Sequence, residues 1–186
     1  MKIPKLYVAA IVILIGAALM AASQPETKKA TPVAATKASD TTKVVAADKI
    51  NWMSYDKGAA EAKKANKHMF VDFTASWCGW CKKMEKETFS QPEVIAMLNN
   101  NFIPIKVWGD SESQLNIDGY KISEKEFAGS RGVQGYPTFV FESPTREAIT
   151  GFSGYRDAPT LMNYLTQVKK YIDTASASAP KTATEK

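Results

Sequence analysis

Apolar positions in the middle of the chain change period from one stretch to the next, and each period predicts an element. Met69 to Thr74 (MFVDFT) is a six-residue run rich in apolar groups, broken by one charge at Asp72. Such a run suits a buried central strand. Ahead of it, Asp56 to Lys67 carries Ala59, Ala60, Ala62 and Ala65 and predicts a helix with Ser54 as N-cap. Ile50-Asn51-Trp52 is expected as a short first strand. Residues 75–84 predict a loop entering a helix at Cys78. Gln91-Pro92 interrupts that helix, Pro92 suits a helix start, and Glu93 to Leu98 continues helical. Phe102 to Trp108 is the next strand, and polar residues 109–121 predict a loop. Ser123 to Ser130 is a short helix with Ser123 and Glu126 spaced as a capping box. Thr138 to Glu142, entered through Tyr136-Pro137, and Ile149 to Phe152 are strands. Ala158 to Ile172 is a closing amphipathic helix with Leu161, Tyr164, Leu165, Val168 and Ile172 on one face. Strands and helices alternate at first, then antiparallel-like strands and a helix follow. The expected class is α/β, a sheet sandwiched between helices.

The flanks have no such period. Lys2 and Lys5 precede an apolar run from Leu6 to Met20, and Ala21-x-Ser23 fits a small-x-small cleavage site. A spanning helix needs about 20 apolar residues, and counting on through Ala22 gives 17. Residues 1–23 are therefore expected as a signal peptide or as a retained membrane anchor. Either delivers the rest of the chain outside, because the lysines stay inside. No cysteine follows the run to carry a lipid. Residues 24–47, rich in Ala, Thr, Lys and Pro, are expected as a flexible tether, and 174–186 as a disordered tail. One folded domain, 48–173, remains.

The net charge of +5 points toward an acidic partner only until it is mapped. Residues 48–173 hold 16 basic and 16 acidic side chains, so the excess belongs to the flanks. Nucleic-acid binding has no support from a basic folded surface.

The chain has two cysteines, Cys78 and Cys81, and one histidine, His68. A disulfide framework, a zinc ribbon or an iron–sulfur site needs more ligands, and haem attachment needs histidine where Lys82 stands. What remains is a dithiol that can close on itself. Disulfide exchange requires a thiolate, and a free cysteine with a pKa of about 8.5 is mostly protonated. A helix start at Cys78 aims unsatisfied N–H groups at its sulfur and makes it the nucleophile. Cys81, one turn on, is the resolving thiol. With so small a loop, the disulfide is expected to be exposed and reducible.

Two separated segments resemble the thioredoxin family. They are Phe70-Val71-Asp72-Phe73-Thr74-Ala75-Ser76-Trp77-Cys78-Gly79-Trp80-Cys81-Lys82 and Gly132-Val133-Gln134-Gly135-Tyr136-Pro137-Thr138-Phe139. Thr88-Phe89, Gln91-Pro92-Glu93-Val94 and Trp80 bring the chain closer to exported thioredoxin-like proteins, a group that includes the C-terminal domain of the DsbD reductase. Trp80 stands where thioredoxin has proline, and 109–121 is a longer insert. The resemblance implies a thioredoxin fold, a cis-proline at Pro137 against the disulfide, and substrate contacts from Tyr136, Trp77 and Trp80. It implies a buried acid at Asp72 that accepts the Cys81 proton, with Lys106 paired to that acid. It further implies no cofactor or metal beyond the Cys78–Cys81 couple, and a monomeric protein. The implied place is the periplasm, soluble or tethered by residues 6–22. The implied partners are exported proteins with disulfides and a membrane thiol donor such as a DsbD-like reductase.

Blander readings stand beside these. The cysteines form an inert disulfide, or a zinc site with His68; Asp72 is a strand-end acid and Lys106 a surface lysine; Trp77 is core; Pro137 is trans. Trp52, Trp108 and Phe141 are expected in the core. The leading function is a disulfide reductase or isomerase. The near alternative is a disulfide-inserting oxidase, against which the lack of a large helical insertion argues; a non-catalytic adaptor or chaperone and a metal carrier follow.

Overall fold

Six buried positions in a row fix the centre of the sheet. In the computed structural model, which describes residues 48–178, β1 (Met69–Thr74) is buried at every position. It pairs in parallel with β2 (Ile103–Trp108) on one side and antiparallel with β5 (Thr138–Glu142) on the other. β6 (Ala148–Ser153) closes the far edge, antiparallel to β5, for a strand order β2-β1-β5-β6. With helices on both faces, β1 has no wet side, which is why its sequence runs apolar rather than alternating.

Phe70, Phe139 and Phe141 face α3 (Pro92–Asn101) and α5 (Ala158–Ser178), where Val94, Leu98, Leu161 and Leu165 complete the layer. Val71, Phe73, Ile105 and Val107 face α1 (Tyr55–Ala65) and α4 (Glu124–Ser130), packing on Tyr55, Ala62, Phe127 and Ala128. The expected α/β sheet flanked by helices is what the chain forms. The capping box at α4 is present in both directions, with the Glu126 N–H donating to the Ser123 hydroxyl at 3.2 Å and the Ser123 N–H to Glu126 Oε2 at 3.0 Å.

Local differences have local causes. Ile50–Trp52 is not a strand: the Trp52 N–H turns back onto the Ile50 carbonyl at 3.0 Å, and Met53 alone bridges to Ile105. The segment expected as a loop over 109–121 contains an antiparallel hairpin, β3 (Gln114–Ile117) and β4 (Tyr120–Ser123). Its turn is Asp118-Gly119, both at positive φ, a dipeptide suited to a tight hairpin. After the helix that begins at Cys78 comes a π-helical turn, Met84–Thr88, in which the Phe89 N–H reaches back five residues to the Met84 carbonyl at 2.8 Å. α5 continues past Ile172 to Ser178. Among the described residues no helix is long and apolar enough to cross a membrane. The export segment and tether expected over 1–47, and residues 179–186, lie outside the described residues.

Candidate active site

β1 delivers the chain at its C-terminal end into a turn closed by the Cys78 N–H on the Ala75 carbonyl at 3.1 Å. α2 (Gly79–Lys83) starts there with Cys78 as N-cap in an extended conformation. Its Sγ accepts the Cys81 N–H at 3.0 Å, the bond that a serine or aspartate oxygen makes at other helix starts. α2 runs on into the helical turn Met84–Thr88. The Cys81 N–H bond seen on the Cys78 sulfur of the disulfide is one that would also favour a thiolate there. Cys78 and Cys81 are joined as a disulfide with their Cα atoms 5.3 Å apart.

The disulfide is not exposed as expected. Cys78 is 4% and Cys81 5% accessible, because Ala75 and the ring of Tyr136 pack on them. The large exposed groups are their neighbours, Trp77 at 69% and Trp80 at 58%. Trp77 meets Tyr136 edge-on at 5.8 Å, and Trp80 lies 5.7 Å from Tyr155. The Tyr136–Pro137 bond is cis.

The sheet register sets Asp72 opposite Lys106, on the Phe70 side of the sheet. Asp72 is buried, Lys106 Nζ lies 3.8 Å from its Oδ2, and its Oδ1 has no hydrogen-bond partner. Burial pushes the Asp72 carboxyl up to about 7, with Lys106 opposing the rise. Burial likewise lowers Lys106, opposed by Asp72. The hydrogen bond of Lys106 goes to Glu85 instead, and its ammonium sits 4.4 Å from the Trp52 ring centroid. Sequence reasoning misses Glu85, although it stands four residues after Cys81 and thus shares that face of a helix. A pocket of about 190 Å³ is bounded by Cys81, Glu85 and Trp108. Trp108, expected in the core, is 41% exposed and lines this pocket. It ends β2, where the sheet no longer covers it.

The start of the insert clasps the loop before Cys78. Asp110 accepts the Ser76 N–H at 2.9 Å and the Ser76 hydroxyl, and these bonds hold its carboxyl below the usual range. The Gly109 N–H donates to the Thr74 carbonyl at 2.8 Å. A Cβ on Gly109 would lie 1.8 Å from the Tyr136 hydroxyl oxygen, so only glycine fits under that ring. Gly109, Asp110 and Tyr155 carry no periodic or motif signal that singles them out. The histidine of the bland zinc reading, His68, sits at the opposite end of β1, its carbonyl accepting the Ile103 N–H at 2.9 Å. Among the described residues no three side chains of His, Cys, Asp or Glu are grouped to hold a metal ion.

Residues 34–185 match the family model described as "Thioredox_DsbH: Protein of unknown function, DUF255". An uncharacterised protein of Caenorhabditis elegans is 34% identical over 131 residues, 65% of this chain and 17% of that protein. The thiol:disulfide interchange protein DsbD of Photorhabdus laumondii is 26% identical over 122 residues, 64% of this chain and 19% of that protein. This chain thus spans less than a fifth of either relative. A thioredoxin from Thermus thermophilus superposes with a TM-score of 0.55 at 23% identity, covering 74% of this chain and 99% of that one, which shows the fold.

Proposed function

The chain belongs to the Thioredox_DsbH family, and on that premise we propose that it is a thiol–disulfide oxidoreductase that reduces or isomerises disulfides of exported proteins in the periplasm. One observation carries the reading. Cys78 is the N-cap of α2 with a backbone N–H on its sulfur, its resolving partner Cys81 stands one turn on, and the strand that leads into the motif buries Asp72, whose carboxyl burial pushes up to about 7.

In the forward direction the Cys78 thiolate attacks one sulfur of a substrate disulfide. The other substrate sulfur leaves as a thiolate, and Cys78 is left in a mixed disulfide. The Cys81 thiol gives its proton to the Asp72 carboxylate and attacks Cys78 Sγ. The second substrate sulfur leaves, and the Cys78–Cys81 disulfide has formed. Two electrons have passed to the substrate, and a membrane thiol donor restores the dithiol. Lys106 limits how far the Asp72 pKa rises and so keeps it able to accept a proton near pH 7. Trp77, Trp80 and Tyr136 supply the apolar surface on which the substrate rests, with the cis bond to Pro137 following the Tyr136 ring that packs on the disulfide. Among the described residues no large helical insertion is present, which supports reduction over oxidation.

The test is insulin reduction with dithiothreitol. The wild type should exceed a Cys78→Ser variant many-fold; equal rates would leave the adaptor reading standing. A dithiol potential near thioredoxin's, about −270 mV, fits a reductant, and one near DsbA's, about −120 mV, an oxidant.

A further inference from the structure

Trp80 is well exposed, yet its indole is held in place. Lys83 Nζ lies 5.3 Å from the Trp80 ring centroid and 4.7 Å from that of Tyr155, so the ammonium contacts both rings. Glu87 Oε2 accepts the Tyr155 hydroxyl at 3.0 Å and stands 3.7 Å from Lys83 Nζ. The loop carrying Tyr155 is itself anchored beside α2. The Thr88 hydroxyl donates to the Arg156 carbonyl at 2.7 Å, and the Arg156 N–H meets Met84 Sδ at 3.3 Å. A cation and one ring thus meet the one large side chain between the two cysteines, and a carboxylate ties that cation and that ring together.

A free surface indole samples several rotamers, and docking on it means freezing them. An indole already fixed spares that cost. The cation that contacts it is engaged with Glu87, which leaves an apolar ring face as the feature on offer. We propose that Lys83, Tyr155 and Glu87 are positioning residues that preorganise Trp80 as a docking plate for an apolar side chain next to the substrate's cysteine. The proposal rests on the reading of the chain as a disulfide exchanger and adds a substrate preference to it.

The full chain, kept reduced with dithiothreitol, is assayed on two disulfide-linked peptides that differ only in phenylalanine or serine beside the cysteine. A small aryl disulfide serves as a control with the wild type. The wild type should show a KM for the phenylalanine peptide roughly three- to tenfold lower, as expected for one aromatic contact of order a kcal/mol. Lys83→Met and Tyr155→Leu should each erase that preference while kcat stays within about twofold. Lys83→Arg, which keeps the cation, should retain it. In protein labelled with 5-fluorotryptophan, the Trp80 resonance, assigned by Trp80→Phe, should move in Lys83→Met and stay in Lys83→Arg. A preserved peptide preference or an unmoved resonance in Lys83→Met overturns the proposal. A wild type that reduces the aryl disulfide but does not distinguish the peptides overturns it while sparing the exchange reaction. A wild type inert toward all three overturns the exchange reaction as well.

Discussion

Replacing Asp72 with asparagine should make the oxidised protein more stable at alkaline pH, by an amount that the buried carboxyl fixes. In the unfolded chain this acid titrates at its ordinary 3.8, and in the folded protein at about 7, because burial disfavours its charge more than Lys106 repays. The folded state therefore holds the proton more tightly across that window. Stability falls as pH rises from about 4 to about 7 and then levels off. At 1.36 kcal/mol per pKa unit the full effect is about 4 kcal/mol, a large share of what a domain of this size has. The neutral amide of the variant has no charge to bury. The wild type and Asp72→Asn should be compared by urea unfolding of the disulfide form at pH 5, 6, 7 and 8. The difference in their unfolding free energies should grow in favour of the variant by about 1.4 kcal/mol per pH unit up to about pH 7 and then flatten. Two parallel curves would show that the carboxyl is not desolvated, and its role as proton acceptor would go with that. The same variant should slow resolution of the mixed disulfide roughly a hundredfold, so that stability and rate change in opposite senses.

Other residues give further tests. Cys81→Ser should trap substrates as mixed disulfides on Cys78, visible on non-reducing gels and by mass; equal trapping by Cys78→Ser would reverse the assignment of nucleophile. Lys106→Met removes the cation 3.8 Å from Asp72, so the pH at which resolution accelerates should move upward, read from single-turnover rates; a downward move would contradict the electrostatics. Tyr55→Phe breaks a fully buried 2.6 Å bond to Glu142 Oε2 and should cost about 1–3 kcal/mol in urea unfolding, with Arg131 still paired to Glu142. Gly109→Ala drives a methyl against the Tyr136 hydroxyl and should cost about 1–3 kcal/mol. In a Tyr136→Ala background that cost should largely vanish, and additive losses would place the clash elsewhere.

The parts of the fold that can be read from sequence are those where one local signal decides the outcome. An apolar hexamer is enough for β1, Pro92 sets the first turn of α3, and the Ser123–Glu126 pair marks the start of α4. The hairpin escapes such a reading because its strands are four residues each and bury little beyond Leu115, leaving Asp118-Gly119 as the sole local cue. The site divides along the same line. Cys78, Cys81 and the acid of β1 carry their chemistry in residue type and spacing, and the register that pairs Asp72 with Lys106 follows once the two strands are parallel neighbours. The partner that takes the lysine's hydrogen bond, Glu85, follows only from a helix that has already been placed. The shielding of the disulfide by Tyr136 comes from a loop far along the chain, and no local pattern encodes it. That shielding changes the chemistry expected of the motif. A disulfide whose cysteines are 4–5% exposed offers a protein partner little surface of its own to settle on. The large exposed apolar groups beside it are the Trp77 and Trp80 rings, where the proposed function places the substrate. On the proposed function the cysteines determine which bond is exchanged, and the proposed role of the aromatic rim is to select which substrate reaches them.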